Sequence, residues 1–347
     1  MKKASGDFQV FVKPIGAACN LACEYCYYLE KQELYPEENR LLMPADLVEE
    51  YIIQQINASS EPDIFFSWHG GEPTVAGLSY FQRIVELQKK HQPENCRIFN
   101  GLQTNGTLLD EDWCHFLAAE NFVVGISLDG PEDLNSIYRH ATDGRSVFRE
   151  ILNGYQLLKS HGIPCEILCV VNAVNVEHPL RVYRFFKKLQ AEFITFLPLV
   201  EVQISGEKKV SERTVPSKAF GKFLCAIFDE WKANDIGKIK VQIFEEALRT
   251  AFDLEHTLCI FKRSCGAVPV IEHNGDFYSC DHFVNQEHLI GNINYQHLSE
   301  LLGHPKQVAF GEAKFNTLPR YCLKCKVLAM CHGECPKNRF IQCPDGE

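Results

Sequence analysis

The sequence has no run of about 18 consecutive apolar residues, the length that a bilayer-spanning helix requires, so no membrane association is expected. Met1 to Asp7 are charged and polar, and no apolar stretch of secretory type follows them; a cytoplasmic location is the expectation. Positive charge is also in short supply. With 35 Lys+Arg against 45 Asp+Glu the formal net charge is −10, which argues against a nucleic-acid partner, since such proteins usually carry a basic footprint. No internal repeat, low-complexity tract or long Pro/Gly/Ser linker is visible. At 347 residues and 46% hydrophobic composition, one large core or two domains are both allowed.

Cysteine, by contrast, is abundant, with 16 residues. In a small secreted protein that number would mean disulfides; in a long chain expected in a reducing compartment it reads as metal binding. Thiolate iron–sulfur sites in such number would suit an anaerobic or oxygen-poor cell. Cys19, Cys23 and Cys26 stand as C-x3-C-x2-C. Three thiolates can hold three irons of a [4Fe–4S] cluster, whose usual protein complement is four, and so leave one iron open. From the residues alone, a three-cysteine zinc site or a buried apolar cysteine cluster remain alternatives.

Strand-like and helix-like patterns alternate along the first two thirds. Strands are predicted at Phe8–Lys13, Ile64–Trp68, Arg97–Gln103, Phe122–Leu128, Cys165–Val171 and Phe193–Leu199. Helices are predicted at Ala45–Ile56, Leu78–Lys90, Glu111–Glu120, Val147–His161, Pro179–Leu189 and Pro216–Lys232. Such alternation implies parallel β/α units, too few to close an eight-fold barrel. Near Ile236–Val241 the pattern changes to short segments, turns and dense cysteine, which sets a domain boundary: 1–235 and 236–347. In parallel β/α folds chemistry gathers at the C-terminal ends of strands. The polar motifs fall there: Cys19–Cys26, His69-Gly70-Gly71-Glu72-Pro73, Gln103-Thr104-Asn105-Gly106, Ser127-Leu128-Asp129-Gly130, Val171-Asn172 and Leu199-Val200-Glu201.

The three-cysteine motif with its aromatic neighbour Tyr27 resembles that of the radical S-adenosylmethionine (SAM) superfamily, where SAM chelates the open iron. The resemblance implies a partial (β/α)6 TIM-like barrel. It also implies that Gly70, Gly71 and Glu72 receive the SAM amino group, that Ser127 and Arg139 hold its ribose or carboxylate, and that Tyr25 and Val200 lie near the cofactor. Farther on, Cys265-x9-Gly275-x4-Cys280 and Cys322-x2-Cys325-x5-Cys331-x3-Cys335 resemble the SPASM extension, a carrier of two auxiliary [4Fe–4S] clusters. By that resemblance Cys259, Cys265, Cys280 and Cys335 hold the first, and Cys322, Cys325, Cys331 and one more hold the second. A pair of structural zinc sites is the other reading of these spacings. Cys96, Cys114, Cys165, Cys169 and Cys225 read as small buried residues in strands and helices.

Within SPASM proteins the chain is similar to anaerobic sulfatase-maturating enzymes. The similarity rests on Lys13-Pro14, Gly70-Gly71-Glu72-Pro73-Thr74, Leu102 to Leu108, Ser127 to Pro131, Ile167 to Asn172, Gly275 to Phe283, Gly291-Asn292-Ile293 and Cys335 to Phe340. It implies oxidation of one Cys or Ser of a sulfatase to Cα-formylglycine in a C/S-x-P/A-x-R peptide. The implied participants are three [4Fe–4S] clusters, SAM as cosubstrate, a flavodoxin- or ferredoxin-type electron donor, and Asp281 as general base. Members of that family typically continue into a segment with a later cysteine, whereas this sequence ends at Glu347; either Cys343 or that later cysteine completes the second auxiliary cluster. Other SPASM chemistry, such as cross-linking a ribosomal peptide, and a non-catalytic electron-transfer role are the alternatives.

Overall fold

The computed structural model describes residue 3 and residues 7–36, 42–203 and 209–341. Twelve strands are present among them: β1 Phe11–Val12, β2 Asp63–Trp68, β3 Arg97–Thr104, β4 Val123–Ser127, β5 Cys165–Val171, β6 Phe193–Pro198, β7 Val202–Gln203, β8 Lys209–Val210, β9 Lys240–Val241, β10 Val270–Ile271, β11 Asp276–Tyr278 and β12 Leu289–Asn292. Ten form one sheet in the order β12-β11-β10-β1-β2-β3-β4-β5-β6-β9, and β7 and β8 form a separate hairpin. From β10 through β9 every pair is parallel, and β11 and β12 add antiparallel at one edge. Helices α1 Ala45–Ala58, α2 Leu78–His91, α3 Glu111–Ala119, α4 Glu132–Asn135, α5 Phe148–Ser160, α6 Pro179–Lys188 and α7 Ser217–Asn234 come between or after the first six strands. This is the partial (β/α)6 barrel expected from the sequence.

Side-chain periodicity explains the layering. In β2, Ile64, Phe66 and Trp68 are buried while Phe65 is exposed, the period of two of a strand. In α5, Phe148, Ile151, Tyr155 and Leu158 are buried at helical spacing. The same rule corrects one expectation. Cys225 lies on α7, where Phe223, Ile227 and Trp231 face inward, so its side chain falls on the opposite face and is exposed. Cys114 and Cys169 are buried; Cys96 and Cys165 are half-buried, and Cys96 precedes β3 rather than lying in an element. No described helix is long and apolar enough to cross a membrane.

After residue 235 the chain builds both edges of the same sheet. Strand β9 pairs with β6 and β10 pairs with β1. The expected strand Phe8–Lys13 is reduced to Phe11–Val12, yet Gln9, Phe11 and Lys13 each donate their N–H to Ala267, Pro269 and Ile271, so its extended backbone is used by the C-terminal region. Buried Gln54 of α1 reinforces the union, donating to Ile293 O at 3.0 Å and accepting from Leu298 N at 2.7 Å. The remaining helices are α8 Gln242–Ala251, α9 Leu298–Leu302, α10 Pro305–Asn316, α11 Arg320–Leu323 and α12 Leu328–Cys331.

Candidate functional site

The loop after β1 carries Cys19, Cys23 and Cys26 over the C-terminal end of the sheet. Leu21 N donates to Cys19 Sγ at 3.3 Å, and Asn105 Nδ2, at the end of β3, reaches the same sulfur at 3.9 Å. Asn105 also donates to Asn20 Oδ1 at 2.9 Å, fixing the loop to its neighbour strand. Burial pushes the Cys19 thiol up to about 12 and raises that of Cys23. Buried thiolates therefore require a cation to form here, which the irons of a cluster would supply.

The Gly70–Gly71–Glu72 turn braces this loop from the end of β2. Gly71 N donates to Gly16 O and Glu72 N to Ala18 O, both at 2.8 Å. A Cβ on Gly71 would lie 2.1 Å from Ala18 O, so only glycine permits this approach. The Glu72 carboxylate is buried and accepts four hydrogen bonds, from Thr74 N (3.1 Å), Thr74 Oγ1, Thr104 Oγ1 and Asn105 N (each 2.6 Å). Three of these fall on Oε1 and one on Oε2, so the side chain joins the turn after β2 to the end of β3 while Oε2 keeps an acceptor position. The turn's backbone carbonyls and the remaining acceptor position of Glu72 are the groups able to receive an ammonium.

Tyr25 and Arg139 meet in one buried network beside the cysteine loop. Both are buried. The Tyr25 hydroxyl donates to Asp129 Oδ2 and accepts from Arg139 Nη2 at 2.6 Å, while Arg139 Nε stands 3.6 Å from Asp129 Oδ2. Asp129 in turn accepts from Val170 N at 2.9 Å. The guanidinium thus belongs to a buried network beneath the cysteine loop, and its charge favours the thiolate of Cys23. Ser127, at the end of β4, accepts from Gln103 Nε2 at 3.2 Å; Val200, just past β6, is half-buried.

The C-terminal region brings a second cysteine group beside the first loop. Burial raises the thiols of Cys259 (to about 11), Cys335 (to about 12), Cys265 and Cys280, and the sulfur of Cys259 interacts electrostatically with those of Cys265, Cys280 and Cys335. Next to Cys280, Asp281 is buried and accepts from the Tyr27 hydroxyl at 2.7 Å, with Lys13 Nζ at 3.8 Å. Burial works to raise the Asp281 carboxyl, but His282, Lys13 and the Tyr27 hydroxyl outweigh it and hold the group below the usual carboxylate range. Cys322, in α11, and Cys331, at the end of α12, are half-buried, and Cys325, on the turn between them, is exposed. Cys343 lies outside the described residues.

Sulfur spacing is one respect in which a zinc site and a cluster differ. Tetrahedral zinc with Zn–S bonds of about 2.3 Å holds its sulfurs about 3.8 Å apart. Among the described residues, three His, Cys or carboxylate donors come within 4.8 Å of one another only at Glu111, His115 and His161, a surface group of α3 and the end of α5. No cysteine group among the described residues meets that spacing, and a cluster in which each thiolate binds a different iron does not require it.

A profile for the radical SAM superfamily matches residues 14–186, and one for SPASM, an iron–sulfur cluster-binding domain, matches residues 259–326. The chain is 42% identical over 351 residues to a serine-type anaerobic sulfatase-maturating enzyme of Bacteroides thetaiotaomicron, covering 97% of this chain and 84% of that protein. The chain belongs to the anaerobic sulfatase-maturating enzymes. It is also 31% identical to a cysteine-type member from Clostridium perfringens, covering 95% of this chain and 89% of that one. Among solved structures, native anSMEcpe with bound AdoMet and the Cp18Cys peptide superimposes with a TM-score of 0.86 at 30% identity, covering 95% of this chain and 89% of that one. The peptide cross-linking alternative is not favoured by these likenesses.

In this maturating enzyme several participants were missed from sequence. Lys13 was noted only as part of a motif, and Tyr27 only as an aromatic neighbour; both reach Asp281. His69 stacks on Phe11 at 3.9 Å, and burial lowers it to about 3. No local pattern announces these contacts, since Tyr27 and Asp281 are 254 residues apart.

Proposed function

We propose that this chain oxidises one Cys or Ser of a sulfatase to Cα-formylglycine, with SAM converted to methionine and 5′-deoxyadenosine. The observation that carries the reading is the meeting of the two cysteine groups at one point: Tyr27, next to Cys26, donates to Asp281, next to Cys280. A radical-generating site and an electron-accepting site thus share a wall on which a substrate side chain can sit. When bound, the cluster at Cys19, Cys23 and Cys26 with SAM supplies a 5′-deoxyadenosyl radical, and the auxiliary clusters accept an electron.

Gly70, Gly71, Ser127 and Val200 line the ends of β2, β4 and β6 and would hold SAM. Glu72, Tyr25 and Arg139 fix the turn and the loop that shape its place. Converting the target side chain to an aldehyde removes one hydrogen atom from Cβ, one electron, and one proton from its thiol or hydroxyl; the bound groups would take the first two, and Asp281 is placed to accept the proton. A serine gives the aldehyde directly; a cysteine gives a thioaldehyde that water hydrolyses to the aldehyde with release of hydrogen sulfide. Lys13, 3.8 Å away, favours the ionised form of Asp281, the form that can accept a proton. Cys259, Cys265, Cys280 and Cys335 hold the first auxiliary cluster, and Cys322, Cys325 and Cys331 with Cys343 or a later cysteine hold the second.

The barrel unit at 1–235 carries the radical chemistry and 236–347 the auxiliary clusters. The partners are a sulfatase polypeptide with a C/S-x-P/A-x-R motif and a small flavodoxin- or ferredoxin-type donor, and the compartment is the cytoplasm. Anaerobic incubation with SAM, dithionite and Cys- and Ser-type sulfatase peptides tests the reading. A formylglycine mass in at least one peptide is expected. Steady 5′-deoxyadenosine formation with both peptides unchanged would contradict it.

A further inference from the structure

Helix α10 buries Gln307, Gly311 and Lys314 at helical spacing, and this face touches all four loops that carry the first auxiliary group of cysteines. Gln307 Nε2 donates to Gly266 O at 2.9 Å and Ser279 O at 3.3 Å, the neighbours of Cys265 and Cys280. Gly311 O accepts from Cys265 N at 3.1 Å, and a Cβ on Gly311 would lie 2.6 Å from Cys265 O. Lys314 Nζ donates to Cys259 O at 2.7 Å and Ile260 O at 2.9 Å. The carbonyl of Lys314 accepts from Arg339 Nη1 at 2.6 Å, on the segment that follows Cys335.

Lys314 stands out on this face because its side chain is only 1% exposed. An ammonium in that position is costly unless an anion faces it. Burial works against its charge, while the carbonyls of Cys259 and Ile260 accept from the ammonium and the sulfurs of Cys265, Cys259 and Cys335 favour it. A [4Fe–4S] cluster with four thiolates is net anionic, and nearby charge is one of the levers that set cluster potential.

We propose that Lys314 is a positioning residue for the first auxiliary cluster: its ammonium ties down the Cys259 loop and, as a fixed buried cation, makes that cluster easier to reduce. The inference rests on the reading that Cys259, Cys265, Cys280 and Cys335 ligate a cluster. Its consequence is directional. A cluster made easier to reduce is better placed to take the electron released by the substrate.

The test compares full-length, anaerobically reconstituted wild type, Lys314→Met and Lys314→Arg by iron content, by EPR-monitored redox titration and by formylglycine formed per 5′-deoxyadenosine. The expected result is a more negative midpoint potential for one cluster in Lys314→Met, several-fold fewer formylglycines per 5′-deoxyadenosine, and a smaller shift in Lys314→Arg. If Lys314→Met lacks one cluster's iron while Lys314→Arg keeps it, the requirement for the cation is upheld at the level of assembly. Unchanged potentials in an iron-replete Lys314→Met overturn the proposal, as does equal iron loss in both variants, which would mean that packing alone matters. Wild type with only about four irons, instead of about 12, overturns both the proposal and the ligand reading. Wild type with its clusters intact but no formylglycine sinks the functional reading alone, and the potentials still decide the role of Lys314.

Discussion

Substituting Gly71 by alanine strikes at the contact between the Gly70–Gly71–Glu72 turn and the cysteine loop. The added Cβ would meet two backbone oxygens, Ala18 O at 2.1 Å and Ala17 O at 2.4 Å, neither of which is the end of a flexible side chain. The two chains must separate, and the bonds Gly71 N to Gly16 O and Glu72 N to Ala18 O are lost with the contact. Two backbone hydrogen bonds at about 1 kcal/mol each and overpacking at about 1–3 kcal/mol put the cost at about 3–5 kcal/mol. Because the strain falls on one loop, the expected outcome is a displaced Cys19–Cys26 loop in an otherwise folded protein. Iron per chain should fall by about four of about 12 atoms, and 5′-deoxyadenosine formation should be lost. The auxiliary iron serves as the internal control. A Gly71→Ala protein with full iron and full SAM cleavage would refute the claim that this glycine sets the position of the loop.

Cys19→Ala, Cys23→Ala and Cys26→Ala should each abolish 5′-deoxyadenosine formation while most C-terminal iron stays; activity in all three would exclude a radical SAM mechanism. Asp281→Asn keeps the shape but removes the basicity, so formylglycine should fall roughly 10²-fold or more relative to 5′-deoxyadenosine; full yield would place the base elsewhere. Glu246 accepts from His256 Nδ1 at 2.7 Å and Leu258 N at 2.9 Å and so anchors the approach to Cys259. Burial works to raise its carboxyl, but the Thr257 hydroxyl, Leu258 N–H and His256 hold it below the usual range. A depressed folded-state value means that its contribution is complete above about pH 5 and fades as the pH falls through that value. Glu246→Gln should therefore lower stability by about 1–3 kcal/mol at neutral pH, read by denaturant titration, with the gap to wild type closing on acidification; a gap independent of pH would argue against an ionised Glu246.

The barrel was legible because its signals are long and periodic. Strands β2 to β6 and helices α1 to α7, the one-turn α4 apart, lie within a residue or two of their expected bounds, since five or more residues at a period of two or 3.6 leave little ambiguity. Strands β9, β10 and β11 span two or three residues each, too few to show a period, so the extension of the sheet past β1 and β6 had no local signature. At the site, the cysteines and the glycine turn were visible as spacing. The internal commitments of Glu72, Tyr25 and Arg139 were not, because they are set by partners on other strands: Thr104 for the first, and Asp129 for the other two. Lys314 was invisible for the same reason, as a lysine on a helix reads as solvated until its partners are seen.

The central claim is that the radical formed at the Cys19–Cys23–Cys26 site acts directly on the Cβ of a sulfatase Cys or Ser. Its most direct test is anaerobic turnover of a target peptide carrying two deuteriums on that Cβ, with 5′-deoxyadenosine and peptide both read by mass. The account predicts that 5′-deoxyadenosine gains one deuterium and that the formylglycine formed retains the other. Formylglycine formed with 5′-deoxyadenosine left unlabelled would contradict it.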